Sequence, residues 1–386
     1  MRVLELCTSP DSGGLELYMV RASAALKAAG DEVLAVIGPA SRLDEGLRRH
    51  EIETAALKLR FVPLPLMAAR RLARLIDTNR IEVVHVHWGK DLALAALAKR
   101  LSARTPRLVY TRHMQITRAK KDIYHRWVYA QVDCLLAITD AMNAKIRQCL
   151  DARMAGRVHT LYHGVAGIDV PITSEQRRRL RREWSVPDDA ILVGVFSRLE
   201  RPKGQHLLVE ALRRAREEGL PLYALVVGHA MDAQYVAELK SRISEYGLDD
   251  RIHFEGFTDR VQCWMQACDI VALTTWEETF GLVLIEAMRA GVAVIGSDRG
   301  GVPEIIRHEQ NGLLFRSFDA ESLYATIRRL VTDDDFRLTL ARAGEQDAST
   351  RFDQQGHMHH LRDHLSGRFD VASQQAVAKD SQEGCS

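Results

Sequence analysis

The sequence predicts an α/β protein made of two doubly wound parallel-sheet domains. Three observations predict it. Short β-rich runs alternate with amphipathic helical segments almost throughout, the pattern of parallel sheets covered by helices. The alternation stops in a Gly- and Pro-containing stretch without periodicity, "LYHGVAGIDVPITSEQ" at 161–176, and then restarts. At 386 residues and 43.4 kDa the chain is also too long for one ordinary core, so two domains of about 150–190 residues each are expected.

The elements follow in order. The first half contributes strands "RVLELCT", "EVLAVIG", "VVHVHW", "RLVYTRH" and "CLLAIT". The second half contributes "ILVGVFS", "YALVVG", "IHFEG", "DIVALTT", "VAVIGSD" and "NGLLF". The junction is expected near 164–174, giving domains over 1–165 and 166–345, then a C-terminal helix over 346–368. The polar, patternless segment 369–386 is expected to be disordered. Ligands of doubly wound sheets bind beyond the carboxyl ends of the strands, so residues just after strands are the candidates for chemistry.

Composition narrows the class of protein. A hydrophobic content of 46% with 27% charged residues is that of a globular protein, and a formal charge of +2 gives no general case for a nucleic-acid partner. The six cysteines lack zinc-type spacing and mostly sit in apolar surroundings, as reduced thiols in a cytosolic protein would. "MRVLELCTSP" is too soon broken for a signal peptide, and no apolar run approaches the ~20 residues that span a bilayer. Arginine clusters at 68–75 and 177–184 are locally basic; they suit either solvated helix faces or an anionic surface.

Candidate binding elements stand after strands in both halves. "TSPDSGGLE" follows the first strand, and Gly13 and Gly14 can bring main-chain amides to a phosphate or sugar, although a tight turn needs the same glycines. The third glycine of a dinucleotide fingerprint is missing, and "AVIGP" ends without the acidic residue that would hold a ribose, which excludes an NAD-type reading of this half. "FSRLERPKGQH" puts Arg198 and Lys203 after the first strand of the second half: a fork and a point charge suited to a diphosphate. In "TTWEETFGLVLIEAMRAGVAVIGSD", residues Thr279, Phe280 and Gly281 open a helix whose first amides attract anions, while Glu278 and Glu286 sit at its mouth and in its body.

These motifs carry a resemblance. "SRL…PKG" at 197–204, "VVG" at 226–228, "IHFEGF" at 252–257, "EETFGLVLIEA" at 277–287, "GVAVIGSDRGGVPEII" at 291–306 and "NGLLF" at 311–315 resemble, in order and spacing, the retaining GT-B glycosyltransferases, and specifically glycosyltransferase family four. In the first half the likeness rests on "SGG", on "HVHW" at 85–88 and on "YTRH" at 110–113. "VGHA" and "HGVAGID" stand where the family often has V-G-x-G and N-G-V/I-D.

The resemblance implies a GT-B fold: two facing Rossmann-like domains with an interdomain cleft, acceptor side first and nucleotide-sugar side second. It implies a glycosyltransferase in which Arg198, Lys203 and the amides of Thr279, Phe280 and Gly281 hold the donor diphosphate. Glu286 would bind the donor ribose, and Glu278 with His113 would act at the transferred sugar. Neither a metal nor another cofactor is expected, since no Asp-x-Asp element stands out at a strand end. The expected partners are a nucleotide sugar, with UDP favoured, and a surface glycan or glycolipid acceptor such as lipopolysaccharide. An anionic membrane surface is a further partner suggested by the basic stretch at 59–80, which would place the enzyme in the cytoplasm or on the cytoplasmic face of the inner membrane. Transfer to a soluble small molecule, a GT-B nucleotide-sugar epimerase and a non-catalytic sugar-nucleotide-binding protein are the rivals. Retention of the acidic and basic site residues argues against the last. The histidines of 351–365 suit the terminal helix better than a metal site, and His85 and His87, which alternation places on one side of their strand, suit a core or cleft-edge role.

Overall fold

The computed structural model describes residues 1–11, 13–58, 65–168, 170–256, 258 and 260–368. The segment 369–386, expected from sequence to be disordered, lies outside them, as do residues 59–64 of the basic stretch. The chain divides into two compact units, one formed by Met1–Tyr162 together with the chain from Gly356 onward, the other by His163–Gln355.

The first unit contains β1 (Arg2–Cys7), β2 (Glu32–Ile37), β3 (Glu53–Ala56), β4 (Val83–Val86), β5 (Arg107–Arg112), β6 (Cys134–Ala137) and β7 (Val158–Thr160). They pair in parallel in the order β3-β2-β1-β4-β5-β6-β7. The sequence reading lacked β3 and β7, the two edges. β3 is the alanine- and acid-containing "ETAA", with no buried residue, and β7 is only three residues long. Edge strands carry little of the apolar run by which central parallel strands are recognised.

The second unit contains β8 (Ile191–Phe196), β9 (Leu222–Val227), β10 (Ile252–Glu255), β11 (Ile270–Leu273), β12 (Ala293–Ser297) and β13 (Leu313–Phe315), again all parallel, in the order β10-β9-β8-β11-β12-β13. Its core is aliphatic, with Val193 and Ile270 on the central strands and Leu208, Leu323 and Ile327 from helices that cover them. In both sheets the order reverses at the first strand, between β1 and β4 and between β8 and β11. At such a reversal the following loops turn to opposite faces and leave a crevice at the carboxyl ends.

The arginine cluster at 177–184 lies on the helix Ser174–Glu183 and is not uniformly solvated. Arg181 is buried, pairs with Asp269 at 2.9 Å, and donates to the carbonyls of Pro187 and Ala190. Arg178 and Arg182 share Glu175 on the exposed side.

The C-terminal helix expected over 346–368 is two helices. One spans Asp334–Arg351 and packs with the second unit; the other spans Gln354–Ser366 and rejoins the first unit from Gly356. Leu361 and Leu365 enter the first unit's core, and Arg362 forks onto the buried Asp31 carboxylate at 2.9 and 3.1 Å. His357 donates from Nδ1 to the Tyr162 carbonyl at 2.6 Å, so its neutral ring accepts at Nε2 from the Tyr18 hydroxyl at 3.0 Å.

Burial depresses both inward histidines of this helix, His357 to about 4 and His364 to about 3, from an ordinary 6.5. A histidine with a lowered folded pKa contributes stability that is complete above pH 6.5 and is lost as pH falls from there toward its folded value. For His357 the shift corresponds to about 3 kcal/mol. The melting temperature should therefore fall between about pH 6.5 and 4, and His357→Gln, which cannot charge, should flatten that fall. An identical acid slope in the variant would remove His357 from the cause.

Candidate active site

The second unit gathers loops at the carboxyl ends of β8, β11 and β12. After β8, residues 197–204 run into the helix Gln205–Glu217. Gly204 sits at φ +72, and a Cβ there would lie 2.2 Å from the Thr274 carbonyl oxygen, so only glycine lets this loop meet the one after β11 so closely. Thr274 Oγ1 donates to the Lys203 carbonyl at 2.6 Å, and the Trp276 amide to the Pro202 carbonyl at 3.1 Å. The two loops on either side of the crevice are thus tied by one side-chain and one main-chain hydrogen bond.

On that support Lys203 Nζ stands 2.9 Å from Glu278 Oε2, with both side chains about one-fifth exposed. Glu278 Oε1 accepts from the Thr279 amide at 3.1 Å, and the Glu278 carbonyl accepts from the Gly301 amide at 2.8 Å, which joins the loop after β12 to the same place. The structure therefore brings Lys203, Glu278 and Thr279 together. The helix was expected to open at Thr279 but begins three residues later, at Leu282, because Gly281 is its cap at φ +113; Thr279 and Phe280 therefore lie in the loop before it. Phe280 turns its ring into the core, against His163 at 5.4 Å and Phe352 at 6.1 Å, and leaves only its main chain for a phosphate.

Arg198 is exposed and pairs with Glu200 at 2.9 Å rather than with Glu278. Glu286 lies half-buried on the helix Leu282–Arg289, beyond the mouth where Glu278 stands. Sequence reasoning missed Gln205, whose buried amide donates to Ser197 Oγ at 3.0 Å and to the Arg198 carbonyl at 2.8 Å, fixing the loop that carries Arg198 and Lys203. Thr275 Oγ1 and Trp276 Nε1, buried at the carboxyl end of β11, have no hydrogen-bond partner among the described residues. Unpaired buried polar atoms are uncommon, and a bound water or ligand group is one way of satisfying them.

In the first unit the glycine loop leads into the helix Gly14–Ala28. The Gly13 amide is taken by Glu16 Oε2 at 2.9 Å, the return half of a capping box, and this buried carboxylate occupies the N-terminus of the helix. A phosphate there would meet that negative charge, so the loop suits sugar hydroxyls better than the phosphate also considered for Gly13 and Gly14. The signal was present in the sequence, since Glu16 is three residues from Gly13.

His113, just after β5, is buried against the Tyr18 ring at 4.9 Å and lies 3.4 Å, Nε2 to Nδ1, from His87. Behind them Glu5 is wholly buried on β1 beside His85 in register. Burial works to raise the Glu5 carboxyl, but the adjoining His85 and His87 rings outweigh it and hold it well below the usual range. Burial keeps His87 neutral. Glu5 accepts from His87 Nε2 and from His85 Nδ1 at 3.2 Å, and His85 Nε2 accepts from Thr111 Oγ1 at 2.7 Å. Glu5, His85 and His87 would also suit a metal ion by type, their ligand atoms lying within 4.8 Å of one another. The nitrogens that face Glu5, however, carry the protons of these hydrogen bonds and have no lone pair to give in this state. Glu5 was the missed residue: one acid inside the apolar run "RVLELC" is its sequence trace.

Two doubly wound parallel-sheet units, one with a lysine, a carboxylate and a glycine cap at its strand reversal, make up the GT-B fold. The comparisons agree. Residues 176–347 match the family described as glycosyl transferases group 1, and residues 12–166 match Glycosyltransferase Family 4. The chain belongs to glycosyltransferase family 4 and is a glycosyltransferase. It is 28% identical to a D-inositol 3-phosphate glycosyltransferase of Xylanimonas cellulosilytica, over 91% of this chain and 92% of that one. It is 25% identical to the lipopolysaccharide core biosynthesis mannosyltransferase LpcC of Rhizobium leguminosarum, over 66% and 69%. Among solved structures, Anabaena HepE in complex with UDP is 25% identical, with a TM-score of 0.84 over 95% of this chain and 100% of that one; HepE has also been solved with UDP-glucose.

Proposed function

We propose that this glycosyltransferase moves a sugar from a UDP-sugar to a surface glycan or lipid-linked acceptor such as lipopolysaccharide, with retention at the anomeric carbon and without a divalent metal. The observation that carries the donor side is the Lys203–Glu278 pair beside the Gly281 cap at the strand reversal. The complexes of HepE with UDP and UDP-glucose support the choice of nucleotide.

In the reaction, the bond between the anomeric carbon and the leaving diphosphate oxygen breaks while the acceptor hydroxyl oxygen bonds to the same carbon on the same face. The acceptor proton passes to the departing diphosphate. Lys203, Arg198 and the amides of Phe280, Gly281 and, once Glu278 Oε1 releases it, Thr279 stabilise the negative charge that grows there, which is the term preorganised donors serve best. Glu286 takes the ribose hydroxyls. Glu278 and His113 orient the transferred sugar.

Thermal-shift measurement against UDP-, GDP-, ADP- and CMP-sugars tests the donor. Stabilisation by one UDP-sugar is expected, and Glu286→Ala should lose most of it while melting normally without ligand. Equal stabilisation of the variant would remove Glu286 from the site.

The acceptor side draws on the helix Leu66–Thr78. Leu66 and Met67 are 47% and 73% exposed, and Arg70, Arg71 and Arg74 stand exposed without an ion-pair partner among the described residues. Apolar tips beside unpaired arginines suit an anionic lipid surface and a peripheral enzyme on the cytoplasmic face of the membrane. No helix among the described residues is long and apolar enough to cross one. Flotation with phosphatidylglycerol vesicles should occur at low salt and be lost in the Arg70→Glu, Arg71→Glu, Arg74→Glu variant. Failure of the wild type to float would favour the second reading, a small phosphorylated acceptor, for which the likeness to the inositol phosphate enzyme speaks.

A further inference from the structure

The hydrogen bonds behind His113 form a chain with one consistent assignment of protons. Glu5 is acceptor-only when ionised. His87 therefore donates to it from Nε2 and, being neutral, must accept at Nδ1. The partner at that nitrogen is His113 Nε2, at 3.4 Å, which must then carry the proton. The same carboxylate receives the His85 Nδ1 proton, and His85 in turn accepts from Thr111. The assignment runs outward from the buried charge on Glu5.

We propose that Glu5 is a positioning residue for His113, acting through His87 to hold His113 in the neutral tautomer protonated at Nε2, whose Nδ1 lone pair accepts a hydroxyl of the donor sugar. This rests on the reading of His113 given above and adds the residues that set its chemistry. A buried carboxylate is costly unless fully paired. Here its two imidazole donors pair it and turn its charge into a tautomer choice two rings away. The groups around His87 are Glu5 on β1, His85 on β4, Tyr18 and Glu16 on the helix Gly14–Ala28, and His113 after β5. His357, on the C-terminal helix, meets the far side of Tyr18.

Glu5→Gln keeps the shape and reverses the logic. With its NH2 turned to His87 Nε2 the amide donates there, and in that orientation the His87 proton moves to Nδ1 and His113 accepts at Nε2. The test is the two-bond nitrogen–proton spectrum of protein carrying 15N-labelled histidine, with His113→Ala for assignment. Wild type should show His87 and His113 neutral and protonated at Nε2 near neutral pH, and Glu5→Gln should move His113 toward the other tautomer. Kinetics with UDP-glucose give a second readout: kcat/KM for the donor should fall by about tenfold to a hundredfold in Glu5→Gln, since the hydrogen bond from the donor-sugar hydroxyl to His113 is lost. The double variant with His113→Ala should be no slower than His113→Ala alone.

Multiplying effects would show that Glu5 acts elsewhere and overturn the proposal. A His113 tautomer indifferent to Glu5→Gln would overturn the positioning alone. Wild-type turnover in His113→Ala would overturn the reading of His113 on which it rests. The wild-type spectrum decides the assignment even where a variant fails to fold, because His87 protonated at Nδ1 in the native protein contradicts it outright.

Discussion

Replacing Lys203 by alanine is expected to lower turnover by a factor corresponding to ~2–4 kcal/mol, or about 30- to 1,000-fold, with little change in melting temperature. The large kinetic effect follows from where Lys203 stands. Its ammonium is 2.9 Å from Glu278 and its backbone is locked by Thr274, so the charge is in place before a diphosphate arrives. The small thermal effect follows from partial exposure, since a pair of this kind contributes about 1 kcal/mol or less to folding. Arg198→Ala should cost less, because Arg198 is 59% exposed and shares its charge with Glu200. Steady-state rates with the donor chosen by thermal shift check both. Wild-type turnover in Lys203→Ala would refute the diphosphate role.

Gly300→Ala is expected to be among the most damaging single methyl groups in the second unit, beside Gly204 and Gly228, which approach backbone carbonyls as closely. Gly300 adopts φ +65, and its added Cβ would lie 2.0 Å from the carbonyl oxygen of Glu278. The backbone cannot keep both the Gly301–Glu278 hydrogen bond and that methyl. A loss of about 3 kcal/mol, or ~6–12 °C in melting temperature, is expected together with lost activity, because Glu278 moves with its main chain. Gly219→Ala is the control: its φ is +70, but nothing lies within 4 Å of the new Cβ, so only the strain of about 1 kcal/mol remains. Equal melting of the two variants would show that the close approach at Gly300 yields easily.

The sequence made the central strands, the junction region and the second-unit site residues legible for one physical reason. Parallel central strands are apolar on both faces, and loops that meet phosphates need glycine, lysine and arginine at fixed offsets after them. "ILVGVFSRL" followed by "PKG" displays both within fourteen letters, and β8 with Lys203 appeared where expected. The edge strands β3 and β7 escaped because their partners lie on one side only and "ETAA" and "VHT" carry no apolar run. The break at Phe352 and Asp353, which divides one expected helix into two belonging to different units, has no Gly or Pro to announce it.

Sequence by itself determined the doubly wound class, the family and the identity of the charged residues after β8 and β11, because each depends on local pattern and spacing. Tertiary structure alone decided which charges meet. Lys203 and Glu278 are 75 positions apart, and Glu5 and His87 are 82. Only sheet pairing at the strand reversal brings such residues within hydrogen-bond reach. It is also only burial in that sheet that turns the acid of "RVLELC" into the partner of two histidines and the acid after Gly13 into a helix cap, since neither a pairing partner nor a dielectric surrounding is written in the order of residues along a chain.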